Sequence, residues 1–218
     1  MRRLILLPPL LGLLLAVPAR GQAGADTLAR RGAATPSVLT SLQAFDAERT
    51  RLDQRGLRVL GAWAVGNLLV SGIAANQTEG SARYFHQMNV GWGAVNLALA
   101  GAGYLGARRA ARAPAADRPS AVRAQLRTEK LYLFNAGLDV AYLATGLYLL
   151  EKGRNPTAPG SLERWRGYGQ SLLLQGGFLL LFDGVQYAAH HRHGQQLYPL
   201  LSRVRIGPGA VAVSWALR

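Results

Sequence analysis

LYLFNAGLDVAYLATGLYLL, residues 131–150, is an almost unbroken apolar stretch with one ionisable residue, Asp139, near its middle. Its length matches the ~20 residues that a helix needs to cross about 30 Å of hydrocarbon. Three more such stretches lie at 57–75, 87–107 and 168–189, and the last carries Asp183. Their number and spacing predict an all-α membrane protein, an antiparallel four-helix transmembrane bundle occupying residues 56–190. An ionisable side chain at membrane depth is a functional-site hypothesis by default, so Asp139 and Asp183 lead the list of candidate residues.

Arginine-rich segments separate the apolar stretches. The formal charge is +14, and lysine occurs only at Lys130 and Lys152. A basic chain can signal nucleic-acid binding, but these arginines flank apolar spans and form no soluble basic face, so nucleic acid is excluded as a partner. The expected partner is the lipid bilayer, through anionic headgroups, with a homo-oligomer or a membrane partner protein as further possibilities. The chain has no cysteine, which excludes disulfides, thiolate metal sites and cysteine nucleophiles.

Residues 1–23 read as a signal peptide: Arg2 and Arg3, an apolar run from Leu4 to Val17, then the small residues Ala19 and Ala23. Together with the apolar spans, this points to a multi-pass location in a cell membrane. Residues 24–55 read as a periplasmic or interfacial segment. Within it an amphipathic helix places Val38, Leu42, Phe45 and Leu52 opposite a solvated face of Asp46, Glu48, Arg49 and Arg51. The tail, 191–218, alternates around Gly207-Pro208-Gly209 and predicts a short β-hairpin. A cleaved signal would put the basic 108–130 connection outside, whereas the positive-inside rule wants it in the cytoplasm, so orientation stays open.

The polar residues inside the spans are ordered. Tyr132, Asn135, Asp139 and Tyr142 form one stripe on the third span, and Ser171, Gln175, Asp183, Gln186 and His190 form one on the fourth. His86, Asn89 and Asn96 come from the second span, and Asn67 and Ser71 from the first. Lipid offers no hydrogen bonds, so both stripes should face inward. Counting residues places Asp139, Asp183, Asn67 and Asn96 in a shared layer about 9 to 15 Å from one membrane face, with His86, Asn89 and Gln175 towards the other. Two carboxyls at one depth would share a proton rather than both ionise. They could also hold a cation, or only lock the helix register.

His86 lies at one end of the bundle and His190, His191 and His193 at the other, so no haem could be ligated between them. No metal, cofactor or catalytic assignment follows, and no nucleophile-base pair or His-Glu-x-x-His spacing suggests an enzyme. Ala94, Ala98, Ala102 and Gly106 form a four-residue repeat expected to let a neighbouring helix approach. The residues thus point first to a non-enzymatic structural or interaction protein with a polar layer inside the bundle. The second reading is a small proton-linked or cation-binding transport or binding protein using Asp139 and Asp183.

The runs RYFHQMNVGW (83–92), LFNAGLDVAY (133–142) and GAWAVGN (61–67), with the stretch from Gly167 to Asp183, resemble an uncharacterised bacterial family of small four-span membrane proteins. The resemblance extends over most of Phe45 to Gln186. It implies a membrane bundle and carries no activity, cofactor or catalytic residue with it.

Overall fold

Each apolar stretch nucleates a helix much longer than a bilayer requires. The computed structural model describes residues 36–113, 117–154, 161–197, 204–207 and 210–213, and the signal peptide expected at 1–23 lies outside them. Helix α1 runs Pro36–Ala74, α2 Gly80–Arg112, α3 Arg118–Lys152 and α4 Ser161–Gly194. At 33 to 39 residues they measure about 50 to 58 Å, well beyond a ~30 Å core. Residues 37–52, the amphipathic stretch, run straight into the first span as the first turns of continuous α1 rather than forming a separate surface helix. The basic 108–130 segment is largely helical, shared between the end of α2 and the start of α3.

Three of these helices, α1, α3 and α4, are long and apolar enough to cross a membrane. The second expected span does not meet that standard, because Gln87, Asn89, Asn96 and five glycines dilute the apolar residues of α2 between 87 and 107. The burial pattern is that of a lipid-facing bundle turned inside out. Gln175 and Ser171 have no exposed surface, whereas Leu181 is 73% and Val70 66% exposed. Water would disfavour that distribution and hydrocarbon accommodates it.

The backbones meet through glycines. Helices α3 and α4 run antiparallel, with Gly146 and Gly169 packed against each other's carbonyls and Gly176 against the carbonyl of Asp139. Helix α2 runs parallel to α4, joined where Gly167 faces the Ser81 carbonyl and Tyr84. On the other side of α2, Gly93 and Gly103 receive Leu68 and Leu57 of α1. The ridge that packs on α2 is therefore Asn89, Gly93, Asn96, Ala100 and Ala107, all buried. The expected ridge Ala94, Ala98, Ala102 and Gly106 faces outward instead.

The longest helix overhangs, those of α1 and α3, fall at one end. There α1 begins, α2 ends, α3 begins and α4 ends, and Leu42, Phe45, Ala121 and Leu197 form a small core of their own. Helix α3 starts cleanly because the Asp117 side chain accepts a 2.7 Å hydrogen bond from the Ser120 backbone N–H, with Pro119 in the first turn. Beyond α4, β1 (Val204–Gly207) and β2 (Ala210–Val213) pair antiparallel, Val204 opposite Val213. The turn between them, with Trp215 and Leu217, lies outside the described residues.

Two outcomes follow from the packing and the cap. Gly167→Ala should lower stability by about 1–3 kcal/mol, since its Cβ would meet the α2 backbone, while Gly177→Ala, which meets nothing within 4 Å, should be neutral or gain up to ~1 kcal/mol. Thermal unfolding in detergent measures both. Asp117→Ala should cost about 1 kcal/mol. The Ser120 N–H holds the Asp117 carboxyl below its ordinary 3.8. The wild-type advantage is therefore complete above pH 3.8 and disappears as the pH falls through the lowered folded value. Unfolding of both proteins from pH 7 downward checks it.

Candidate functional site

The inward polar residues separate into two clusters along the bundle. In the first, Gln175 of α4 bridges three helices. Its amide N donates to Asn67 Oδ1 on α1 and Asn89 Oδ1 on α2, both at 2.8 Å, and its Oε1 accepts from the Trp63 indole N–H at 2.9 Å. Ser171 adds a 2.8 Å bond to Asn89, and Asn67 closes its own side by donating to the Trp63 carbonyl. The Trp63 ring stacks on Phe178 at 3.9 Å, which fixes the indole direction. One level outward, His86 Nδ1 lies 3.2 Å from the Ser71 hydroxyl. The Gln175 amide is fully engaged, as a polar group in hydrocarbon must be.

The second cluster holds the aspartates. Asp139 and Asp183 are buried, at 2% and 4% exposure, and their carboxyls lie close enough to interact, with Asn135 in the same neighbourhood. Helix geometry explains the meeting. Side chains lean towards their own helix N-terminus, so in antiparallel α3 and α4 the two aspartates lean towards each other. A carboxyl-carboxyl hydrogen bond needs a proton between the oxygens. Asp139 Oδ2 is buried without a hydrogen-bond partner, and so, on α2 one turn from the Trp92–Tyr142 ring contact, is Asn96 Nδ2. Unlike the Gln175 layer, the Asp139 carboxyl is left with an unsatisfied oxygen, which in a native interior calls for a reason.

The expected single layer is thus divided. Asn67 joins Gln175 and Asn89 rather than the aspartates. Tyr142 packs edge-on against Trp92 at 4.9 Å, and Gln186 lies against Gly56 of α1, where a Cβ would come within 2.6 Å of its amide carbon.

A third group at the overhanging end was not anticipated. Arg49 bridges Asp46 at 2.7 Å and Asp53 at 3.2 Å, and His190 Nε2 sits 3.2 Å from Asp53 Oδ1. That last approach is close enough for an ion pair but not aligned as a hydrogen bond. His193 Nε2 contacts the Phe45 carbonyl at 2.9 Å and its ring stacks on Phe45. Asp46 and Arg49 are buried, not the solvated face expected, while Arg51 and Glu48 pair on the surface. The signal was present in the chain: Asp46, Arg49, Asp53, Gly56, Leu60, Ala64, Asn67 and Ser71 run along α1 at steps of three or four residues, one continuous inward stripe.

Long lipid-facing helices around a buried polar interior define a helical, multi-pass membrane protein. Its core region, residues 59–184, matches the family of unknown function DUF6992, and the chain belongs to that family. No curated protein and no solved structure matches the chain.

The Gln175 layer yields a graded expectation. Gln175→Leu removes three interhelical bonds at ~0.6 kcal/mol each, about 2 kcal/mol, whereas Ser171→Ala removes one, about 0.6 kcal/mol. Unfolding in detergent should rank them in that order, and equal losses would mean that the amide does not join the helices.

Proposed function

We propose that this chain is a non-enzymatic four-span protein of a bacterial inner membrane, in which the Asp139–Asp183 pair is a proton-binding site inside a bundle held together by the Gln175 layer. Helix α2 is the fourth span in this reading, since it lies alongside α1 and α4 and presents Leu97, Leu99 and Leu105 outward. The arginines at the ends of α2 and α3 then meet anionic headgroups.

The observation that carries the reading is the contact between two buried carboxyls in a protein whose helices are already joined by a satisfied amide layer. A purely structural role would be served better by neutral, fully bonded groups, because a carboxyl taken out of water is expensive and a pair more so. The pair resembles a two-carboxyl site that holds one proton and can exchange it.

Infrared difference spectroscopy of the full chain in lipid nanodiscs tests this. At neutral pH the wild type should show a protonated-carboxyl C=O band that shifts in D2O, and the Asp139→Asn/Asp183→Asn double variant should lack it while unfolding at the same temperature or higher. A wild type without the band, or a double variant that unfolds many degrees lower, returns the aspartates to a packing role.

A further inference from the structure

The three polar groups described above are not independent, because α1, α3 and α4 carry them in register towards the overhanging end. On the α3–α4 register set by Gly146, Gly169 and Gly176, Tyr132 stands at the level of Asp183, and its ring touches Phe182. It lies within electrostatic reach of both Asp183 and Asp53. Two turns further, the His190 ring stacks on Tyr132 with centroids 5.4 Å apart, and its Nε2 faces Asp53 at 3.2 Å. Gln186, midway between Asp183 and His190 on α4, is pressed against Gly56, one turn from Asp53 on α1. The gap from Asp183 to His190 is about 10 Å along the helix, and Tyr132 and Gln186 occupy it.

We infer that His190 is the group through which the Asp139–Asp183 pair exchanges its proton with water at the overhanging end, by way of Tyr132. His190 is fully buried, and neither ring nitrogen has an aligned hydrogen-bond partner, although its backbone carbonyl is held by the Gln125 amide at 2.6 Å. An imidazole held only through its backbone and one ring face keeps both nitrogens available for transfer. The proton balance is simple. A proton leaves the carboxyl pair for the Tyr132 hydroxyl as that hydroxyl gives its own proton to His190 Nδ1, and the proton on Nε2 passes to Asp53, so the tyrosine and the ring both end neutral, the ring in its other tautomer, and both reset by the reverse exchange. The charged neighbours mark the way out. Asp53 of α1, bridged by Arg49, is the carboxylate that receives the proton, and Glu129 of α3, 3.2 Å from His191, continues the path to the surface. At the opposite end His86 pairs with Ser71, on the far side of the satisfied Gln175 layer, which offers no titrating group to continue a path.

This rests on the carboxyl-pair reading, and the same infrared band separates the two. After a switch from H2O to D2O in nanodiscs, the band should exchange about 100-fold more slowly in His190→Gln and in Tyr132→Phe than in wild type, the lower end of what a positioned proton-transfer group contributes. Tyr132→Phe keeps the stacked ring, so the test survives if His190→Gln fails to fold. His86→Gln should exchange at the wild-type rate. Wild-type rates in Tyr132→Phe and His190→Gln, or slowing in His86→Gln alone, would overturn the route while leaving the pair intact. Absence of the band from wild type would overturn both.

Discussion

The Gln175 side chain is the interaction on which the rest of the bundle depends. Hydrocarbon supplies no driving force for apolar helices to associate, so close backbone approach and interhelical polar bonds must do it. Gln175 supplies bonds to α1 and α2 from a position on α4, while the α4 glycines give close approach, Gly167 to α2 and Gly169 and Gly176 to α3. The two elements complement each other. Without the amide, α1 would be joined to α4 by little more than the Asp53–His190 and Gly56–Gln186 approaches and the Trp63–Phe178 stack.

With the register fixed there, the positions of the ionisable groups follow from helix geometry alone. Residues seven apart lie two turns apart on the same face, so Tyr132 and Asp139 on α3 align, as do Asp183 and His190 on α4. The antiparallel crossing then turns two inward stripes into one line of contacts. Chemistry changes along that line, from a satisfied amide layer to an unsatisfied carboxyl pair to an ion-paired imidazole. On the proposed reading, the two faces of the bundle are consequently unequal in their capacity to move a proton.

The helical class and the inward stripes were legible in the chain because 3.6-residue periodicity depends on nothing beyond local sequence. The helix ends were not. Alanine- and arginine-rich segments around 108–130 have no apolar window, yet alanine, leucine and arginine are strong helix formers, and the Asp117 cap fixes a start that hydropathy cannot locate. The α2 ridge was misplaced for a related reason. At 100° per residue Ala94, Ala98, Ala102 and Gly106 lie on the face opposite Asn89, Gly93, Asn96 and Ala100, and small size alone does not say which of the two faces meets a neighbour. Asn67 was assigned to the aspartates by depth alone, whereas its partner is decided by which faces of α1 and α4 meet. The Asp53–His190 approach depends on the same non-local register, and Arg49, although it lies on the inward stripe of α1, reads as solvated because charged residues at three- and four-residue spacing commonly are.

The one-sided overhang of the helices has a consequence for how the protein would respond to its host bilayer. Because α1 and α3 carry their extra length on that side, those two helices meet a change in hydrocarbon thickness mainly there. A thicker membrane would draw the Tyr132–His190 level into lipid and dry it, and a thinner one would bring water closer to Asp183. Hydration of the carboxyl pair, and with it the rate at which that pair equilibrates, is thereby tied to the composition of the surrounding lipid.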